Sequence, residues 1–330
     1  MSFRHETHAE IIADSISPDG VRLTTMEVTF HRFILAEVNT HRAFSRNSAS
    51  SRAIPLETML ERATMHPAIP VKWASEQKGM SGGDELTGDD LAAARKVLED
   101  IKLATTSILG EYVESHPDKS TRLHKSLLNR PLEWVMWHTA IITSTDWDNM
   151  FAQRITPAAQ PEFDALARMM SNALDDSTPQ QQLPGDYHLP YTSMKERSTL
   201  DIDVLLKIST ARCARVSYLT HDGVRDTSED VRMYDETLWF NGHWSPMEHP
   251  AMCVVPDFPS RGSNFAQGWE QLRGFVENGV TMEMLQAIST SVRVHSGQEV
   301  DEESIRASAE QFKSTLTDEE LAAIEETVGS

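Results

Sequence analysis

The feature that most constrains the fold of this chain is a strongly apolar stretch that begins at Pro131 and runs to Phe151. It carries three tryptophans, Trp134, Trp137 and Trp147. Proline is favoured in the first turn of a helix, and a segment that is apolar on all sides has to be buried. The stretch therefore predicts one helix in the core or at a subunit interface.

The rest of the chain predicts mainly helices and a few strands. A loose alternation rich in Thr, Val and Phe predicts a strand over residues 21–33, and residues 251–255 predict a second, short one. Apolar spacing, proline starts and an Asn-Gly stop predict helices over residues 55–65, 89–115, 161–174, 201–214 and 228–240. Residues 67–88 and 179–191 are rich in turn formers and predict loops. Together these elements favour an α+β fold.

Composition narrows the class of protein. A chain of 330 residues is long enough for one large domain or two ordinary ones. Fifty acidic residues against thirty basic ones give a net charge of −20, which argues against general nucleic-acid binding. There is no apolar run of membrane-spanning length and no signal-peptide pattern at the N-terminus, so we expect a cytoplasmic protein that does not bind membranes.

The two cysteines bear on the chemistry. Cys213 and Cys253 lie forty residues apart without the spacing of a disulfide framework or a zinc ribbon, and both lie in apolar segments. Neither is expected to act as a nucleophile, because thiols in such segments are usually buried and inert. Residues 242–249 hold two histidines and a glutamate, but not at the spacing of a helical metal-binding pair, so we predict no metal site.

One short segment stands out against the acidic background. Residues 40–52 contain three arginines, four serines, a histidine and an asparagine, and no carboxylate. The planar fork of an arginine and nearby hydroxyl and backbone donors suit a small anion, most simply a phosphate. The alternative is a solvated basic loop.

Three stretches of the chain resemble the flavin-dependent thymidylate synthases (ThyX). His41-Arg42, seven residues, Ser50 and then Arg52 resemble the Arg-His-Arg signature of that family. Ala-Arg-Val-Ser-Tyr at residues 214–218 and Gly-His-Trp-Ser-Pro-Met-Glu-His at residues 242–249 resemble two further family segments. Residues 147–162, with Asn149 and Arg154, are similar to the family's long helix and the turn after it.

The order of these segments differs from that of the family. There the last two precede the signature, whereas here they follow it by about 170 residues. The chain is therefore interpreted as a circularly permuted, virus-like variant. A fold tolerates circular permutation when its original termini lie close together. We expect residues 1–190 to hold the signature loop, an insertion and the long helix, residues 191–300 the permuted portion of the same fold, and residues 301–330 an acidic helical tail.

The resemblance implies a ThyX-like fold, mainly helices around a small antiparallel sheet, and a reaction. A methylene group passes from methylenetetrahydrofolate to carbon 5 of dUMP, FAD supplies the hydride, and NADPH reduces the flavin again. The resemblance also implies a homotetramer. The residues it assigns to the nucleotide are Arg42, Ser50, Ser51, Arg52, Arg154 and Glu37, with Arg154 and Ser50 at the reacting ring; those it assigns to the flavin are His41, Asn149, Ser217 and Ser245.

The departures from the family pattern leave alternatives open. Thr40 replaces the first signature arginine, and further differences occur at Ser48, Thr143 and Ala158. Glu37 stands where the family has a glutamine near the substrate. A carboxylate can accept from the exocyclic amine of cytosine, so an enzyme that methylates or hydroxymethylates dCMP is one alternative. The other is a non-catalytic protein that binds a flavin or a nucleotide.

Overall fold

The computed structural model describes residues 4–218 and 226–314, in which helices surround two β-sheets. The strands are β1 His8–Ile16, β2 Arg22–His31, β3 Ser45–Ser48, β4 Trp137–Ser144, β5 Gln180–Gln181, β6 Tyr187–His188, β7 Ala251–Cys253 and β8 Trp269–Gln271. The helices of the first part are α1 Leu35–Val38, α2 Leu56–Met65, α3 Gly88–Ser115, α4 Lys125–Leu128, α5 Asp148–Arg154 and α6 Pro161–Asp175. Those that follow are α7 Met194–Arg197, α8 Ile202–Tyr218, α9 Thr227–Met233, α10 Leu272–Glu277, α11 Met282–His295 and α12 Glu302–Ser314. The mixture of helix and sheet confirms the α+β class.

The larger sheet has the strand order β3-β4-β2-β1-β5. All its pairs are antiparallel except β1 with β5. Nearly every residue of β2 is buried because the strand is covered on both faces. Phe163, Leu166 and Met170 of α6 pack against one face, and Leu23 on the other face packs with residues of the second sheet. The second sheet, in the order β6-β7-β8, lies next to a separate apolar cluster that includes residues of α8, α10 and α11.

The prediction of a single helix over residues 131–151 is wrong. The segment forms a short 3₁₀ helix, Arg130–Val135, then strand β4, and then the start of α5. Seven of the eight β4 residues are buried, since the strand is covered on both faces. A strand buried on both faces reads as a continuous apolar run without alternation, which is also the pattern of a buried helix. The prediction that this stretch is buried holds for β4, while its secondary structure differs.

Most other sequence predictions agree with the structure. The strand expected at residues 21–33 is β2, and the helices expected at 55–65, 89–115 and 161–174 are α2, α3 and α6. The helix expected at 228–240 is α9 followed by a π-helical turn, and Gly242 ends it with φ of 66°. The Ala-Arg-Val-Ser-Tyr segment continues α8 to its last residue. None of the described helices is both long and apolar enough to cross a lipid bilayer.

The expected division of the chain at residue 190 stays a prediction, but strand pairing and side-chain hydrogen bonds cross it. β6 precedes the boundary and pairs with β7, which follows it. The indole of Trp269 donates to the carbonyl of Val21 at 2.9 Å. The two expected portions therefore share both a sheet and a side-chain contact.

Candidate functional site

The signature segment runs along the edge of the larger sheet. After α1, residues 39–44 turn back and β3 pairs with β4, so that Ser45 lies opposite Thr143 and Asn47 opposite Ile141. The alternation of a strand turns Ser45 and Asn47 inward, and both are buried. The half-buried guanidinium of Arg46 donates to the carbonyls of Val38 and His41 and fixes the turn.

His41 and Arg154 meet at the beginning of this segment. Arg154 is the last residue of α5, and its Nε donates to Nε2 of His41 at 3.0 Å. Its Nη2 donates to Oγ1 of Thr40 at 3.1 Å, and its guanidinium carbon lies 4.6 Å from the ring centre of Phe163. Burial and the positive charges of Arg154 and Arg46 lower the pKa of His41. His41 is therefore a neutral acceptor that orients Arg154, whose Nη1 makes no hydrogen bond with a described residue.

The serines and arginines at the end of the segment differ in their surroundings. Arg42 and Arg52 are exposed and form no ion pair or hydrogen bond with the described residues. Ser50 is half-buried. Ser51 is buried, and its hydroxyl donates to Oε1 of Glu133 at 2.5 Å. In this geometry two guanidinium groups are open to an anion, whereas the hydroxyl of Ser51 is occupied within the protein.

Glu37 has an unusual environment for a carboxylate. It lies in α1, three residues before Thr40, and the Thr40 hydroxyl donates to its backbone carbonyl at 2.6 Å. One carboxylate oxygen, Oε2, is buried without a hydrogen-bond partner among the described residues. Burying a carboxylate oxygen without a donor is costly, so a donor placed next to this oxygen would stabilise it.

The segment at residues 242–249 packs against β3 from the second half of the chain. Ser245–Glu248 forms a 3₁₀ turn that starts with Pro246 in its first positions. The side-chain amide of Gln271 donates to the hydroxyl of Ser45 and to the carbonyl of Glu248, both at 2.7 Å. The fold therefore brings two of the three family-like stretches into contact at the sheet edge, although they are about 200 residues apart.

The remaining candidate flavin residues lie on neighbouring elements. Asn149 is exposed in the first turn of α5, and Ser245 is exposed at the start of its turn. Ser217 lies at the end of α8, where the structure describes the backbone only. Arg215, two residues earlier, is bound to the buried carboxylate of Asp230 at 2.7 Å.

Sequence reasoning missed several residues of this region. Thr40 was noted only as a departure, yet it is an acceptor for Arg154. Phe163 supplies the ring beneath Arg154, and Glu133 holds Ser51. No sequence signal points to Glu133, whereas Phe163 directly follows the glutamate of the family-like turn. Both cysteines are buried, and burial raises the pKa of Cys213 well above its usual value and that of Cys253 to about 12.

Comparison with known proteins gave only distant similarities. The chain matches no protein-family model, and no curated protein matches it either. Among solved structures, it is similar to a UMP/dUMP methylase, PolB, from Streptomyces cacaoi bound with 5-Br dUMP. That match has 14% identity and a TM-score of 0.40, and covers 53% of this chain and 92% of the other.

Two structures of ThyX from Helicobacter pylori with FAD and dUMP are also similar. They have 15% and 14% identity and TM-scores of 0.30 and 0.28, and each match covers 46% of this chain and 67% of the other. TM-scores at this level do not establish a shared fold. The local geometry of the site therefore has to carry the functional argument.

Proposed function

We propose that this protein is a flavin-dependent thymidylate synthase-like enzyme that transfers a methylene group to carbon 5 of dUMP. The observation that carries the proposal is the hydrogen bond between His41 and Arg154. These residues lie 113 positions apart, and each belongs to a different family-like stretch. Gln271 provides a second contact, because it joins the family-like segment at residues 242–249 to Ser45 at the same sheet edge.

The nucleotide phosphate is assigned to the two open guanidinium groups. Arg42 and Arg52 can each form charge-assisted hydrogen bonds with phosphate oxygens. Ser50 lies between them in the chain and supplies a further hydroxyl. Ser51 can contribute its hydroxyl only if it releases Glu133.

Arg154 is assigned to the pyrimidine ring. Its Nε and Nη2 are held by His41 and Thr40, which leaves Nη1 to donate to a ring oxygen. A cation held in place stabilises negative charge that develops on that oxygen when carbon 5 is activated. No thiol nucleophile is needed, which agrees with the buried state of both cysteines.

The cofactor proposal is FAD, with NADPH and methylenetetrahydrofolate as co-substrates. Exposed side chains of Asn149 and Ser245 offer an amide and a hydroxyl. This donor set fits a flavin, which when bound supplies the hydride chemistry that amino-acid side chains lack. His41 and Ser217 are the other residues proposed to hold it. The proposal also includes a permuted order of the fold and a homotetrameric assembly. Light scattering of the purified protein in solution tests the homotetramer.

Two measurements test the proposal together. Titration of FAD into the purified protein at micromolar concentration should quench the flavin fluorescence. Mass spectrometry of a reaction supplied with equal dUMP and dCMP, methylenetetrahydrofolate, FAD and NADPH should then show dTMP. Binding of FAD without any product would favour the non-catalytic flavin-binding alternative, and absence of quenching would contradict the flavin assignment.

The second candidate substrate is dCMP, and Glu37 favours it. The buried oxygen Oε2 has no hydrogen-bond donor among the described residues, and the exocyclic amine of cytosine is a donor. The same mass-spectrometric experiment separates the two substrates, because methylated or hydroxymethylated dCMP differs in mass from dTMP.

A further inference from the structure

Five buried polar side chains form a continuous hydrogen-bonded chain between the two sheets. The hydroxyl of Ser15 lies 2.8 Å from Nδ1 of His188, and Nε2 of His188 lies 2.7 Å from Oγ1 of Thr25. Oγ1 of Thr25 lies 2.7 Å from Oγ1 of Thr143, which lies 2.8 Å from Nδ1 of His249. All five residues are at least 97% buried. The chain thus links strands β1, β2 and β4 to β6 and to the residue after the 3₁₀ turn.

Both histidines in the chain are neutral. They are fully buried, and burial lowers the pKa of each to about 3. A neutral imidazole has one N–H donor and one bare nitrogen that accepts. Each ring therefore has two possible tautomers, and its hydrogen-bond partners decide between them.

Counting protons singles out one arrangement. Each hydroxyl has one hydrogen, so it can donate to only one neighbour. When every donor points from Ser15 towards His249, all three hydroxyl hydrogens have acceptors and both rings carry their proton on Nε2. In a second arrangement every donor points the opposite way and both rings carry the proton on Nδ1, but the buried Ser15 hydrogen then has no acceptor among the described residues. Arrangements with unlike tautomers leave either the threonine–threonine contact without a proton or a threonine hydrogen without an acceptor, and both are costly in a buried site.

The free end of this hydrogen-bonded chain of side chains is Nε2 of His249. This atom is buried and makes no hydrogen bond with a described residue. It is a donor in the first arrangement and a bare acceptor in the second. Thr143, to which this ring is bonded, is the strand partner of Ser45 in the signature segment, and Glu248 precedes the ring in the turn that Gln271 joins to Ser45.

We propose that Thr25, Thr143 and His188 are positioning residues that fix whether His249 presents a proton or a lone pair at Nε2, and that the two rings always carry the same tautomer. The relevance of this to the reacting site rests on the proposed function, whereas the tautomer coupling does not. In the first arrangement Nε2 of His249 carries a proton. Moving that proton to Nδ1 reverses every donor along the hydrogen-bonded chain, so the tautomer of His188 changes with that of His249.

The test is the ¹⁵N chemical shift of the ring nitrogens in the full-length, histidine-labelled protein, which separates a bare nitrogen from a protonated one. The His188→Gln and His249→Gln variants assign the two rings. We expect both rings of the parent protein to carry the proton on the same nitrogen. Opposite tautomers in the two assigned rings would overturn the proposal.

Two threonine variants test the coupling itself. Thr143→Val should shift the ring signals of His188, from which it is separated by Thr25, as well as those of His249. Thr29→Val is the matched control, because Thr29 and Thr139 form another buried cross-strand threonine pair on β2 and β4, outside the chain. A shift confined to His249 in Thr143→Val, or equal shifts in the control, would contradict the coupling. Since no flavin, substrate or turnover enters the measurement, its outcome is independent of whether the proposed reaction is right.

Discussion

At the scale of single residues, the contact with Arg154 accounts for the threonine at position 40. The family-like signature would place an arginine at position 40, which would add a second positive charge near the guanidinium of Arg154. Threonine instead offers an oxygen that accepts from Nη2. The departure from the family pattern therefore removes a repulsion and adds a hydrogen bond, which keeps Arg154 oriented.

Arg52 provides the most direct residue-scale prediction. If it binds the nucleotide phosphate, Arg52→Ala loses a charge-assisted hydrogen bond worth about 1.5–3 kcal/mol, so the Kd for dUMP should rise about tenfold or more. Calorimetric titration measures this. Arg168→Ala, at an exposed arginine of α6, is the control and should leave the Kd unchanged. FAD binding should be nearly the same in all three proteins, and an unchanged Kd in Arg52→Ala would place the phosphate elsewhere.

Glu37 distinguishes the two candidate bases. If dUMP is the substrate, Glu37→Gln should keep dUMP turnover within a few-fold of the parent, because glutamine occupies this position in the family pattern. Steady-state rates with each nucleotide provide the measurement. Loss of activity on dCMP together with a gain on dUMP would show that Glu37 reads the base, since leaving a buried donor or acceptor unpaired costs about 1–3 kcal/mol.

At the scale of elements, the sequence predicted correctly those helices that have a clear starting residue, a clear ending residue or a regular spacing of apolar residues. α2 follows Pro55, α6 starts at Pro161, and the helical segment before Gly242 ends at a glycine with positive φ. β4 was not predictable, because a strand buried on both faces and a buried helix give the same apolar run. The strand conformation of β4 depends on its pairing with β2 and β3, and that pairing cannot be inferred from the local sequence.

A buried ion network joins α8 to α9 and gives a stability prediction. Asp230 accepts from Arg212 at 2.8 Å and from Arg215 at 2.7 Å, and the side chains of Asp230 and Arg212 are each 1% exposed. Asp230→Asn removes one of the two carboxylates that pair with the buried Arg212, the other being Glu196, and it also removes the carboxylate bound to Arg215. The loss of charge-assisted hydrogen bonds should lower the free energy of unfolding by about 1.5–3 kcal/mol. Urea denaturation measures the loss.

The matched control for this network is an exposed ion pair. Asp164 and Arg168 lie one turn apart on α6, and Asp164→Asn should cost less than about 1 kcal/mol. Equal losses in the two variants would mean that burial does not determine the strength of the Asp230 network.

At the scale of the whole molecule, three buried histidines make stability depend on pH. Burial lowers the pKa of His138, His188 and His249 to about 3, whereas unfolded imidazoles titrate near 6.5. Between these values the unfolded state binds protons that the folded state does not, so stability is complete above about pH 6.5 and falls as the pH falls towards 3.

Glu270 acts in the opposite direction over part of this range. Burial raises its pKa to about 7, so its contribution to stability falls as the pH rises from about 4.5 to 7. Together these four groups should contribute a slope of about 3 kcal/mol per pH unit near pH 5. Urea denaturation from pH 7 to pH 4 measures it. His138→Gln should reduce the slope by about 1.4 kcal/mol per pH unit, and His295→Gln, at a side chain that is 64% exposed, should not change it.

Candidate residues for the site could be proposed from the sequence, but the contacts among them could not. Arg154 and His41 could be named from the sequence, since each belongs to a recognisable local pattern. Their contact with Thr40 and Phe163, and the buried chain from Ser15 to His249, depend on strands and helices far apart in sequence. Single serines, threonines and histidines without local spacing give no signal for such a chain.

The contact between Gln271 and Ser45 has a consequence for synthesis of the protein. The two residues are 226 positions apart, and a ribosome adds about 5–20 residues per second. The edge strand β3 is therefore made roughly 10–45 seconds before the side chain that holds it to the second half of the molecule. During that interval the edge of the larger sheet is exposed to other chains. Slow translation should lengthen the interval in which this sheet edge can pair with other chains. A chaperone that shields a sheet edge should raise the yield of native protein.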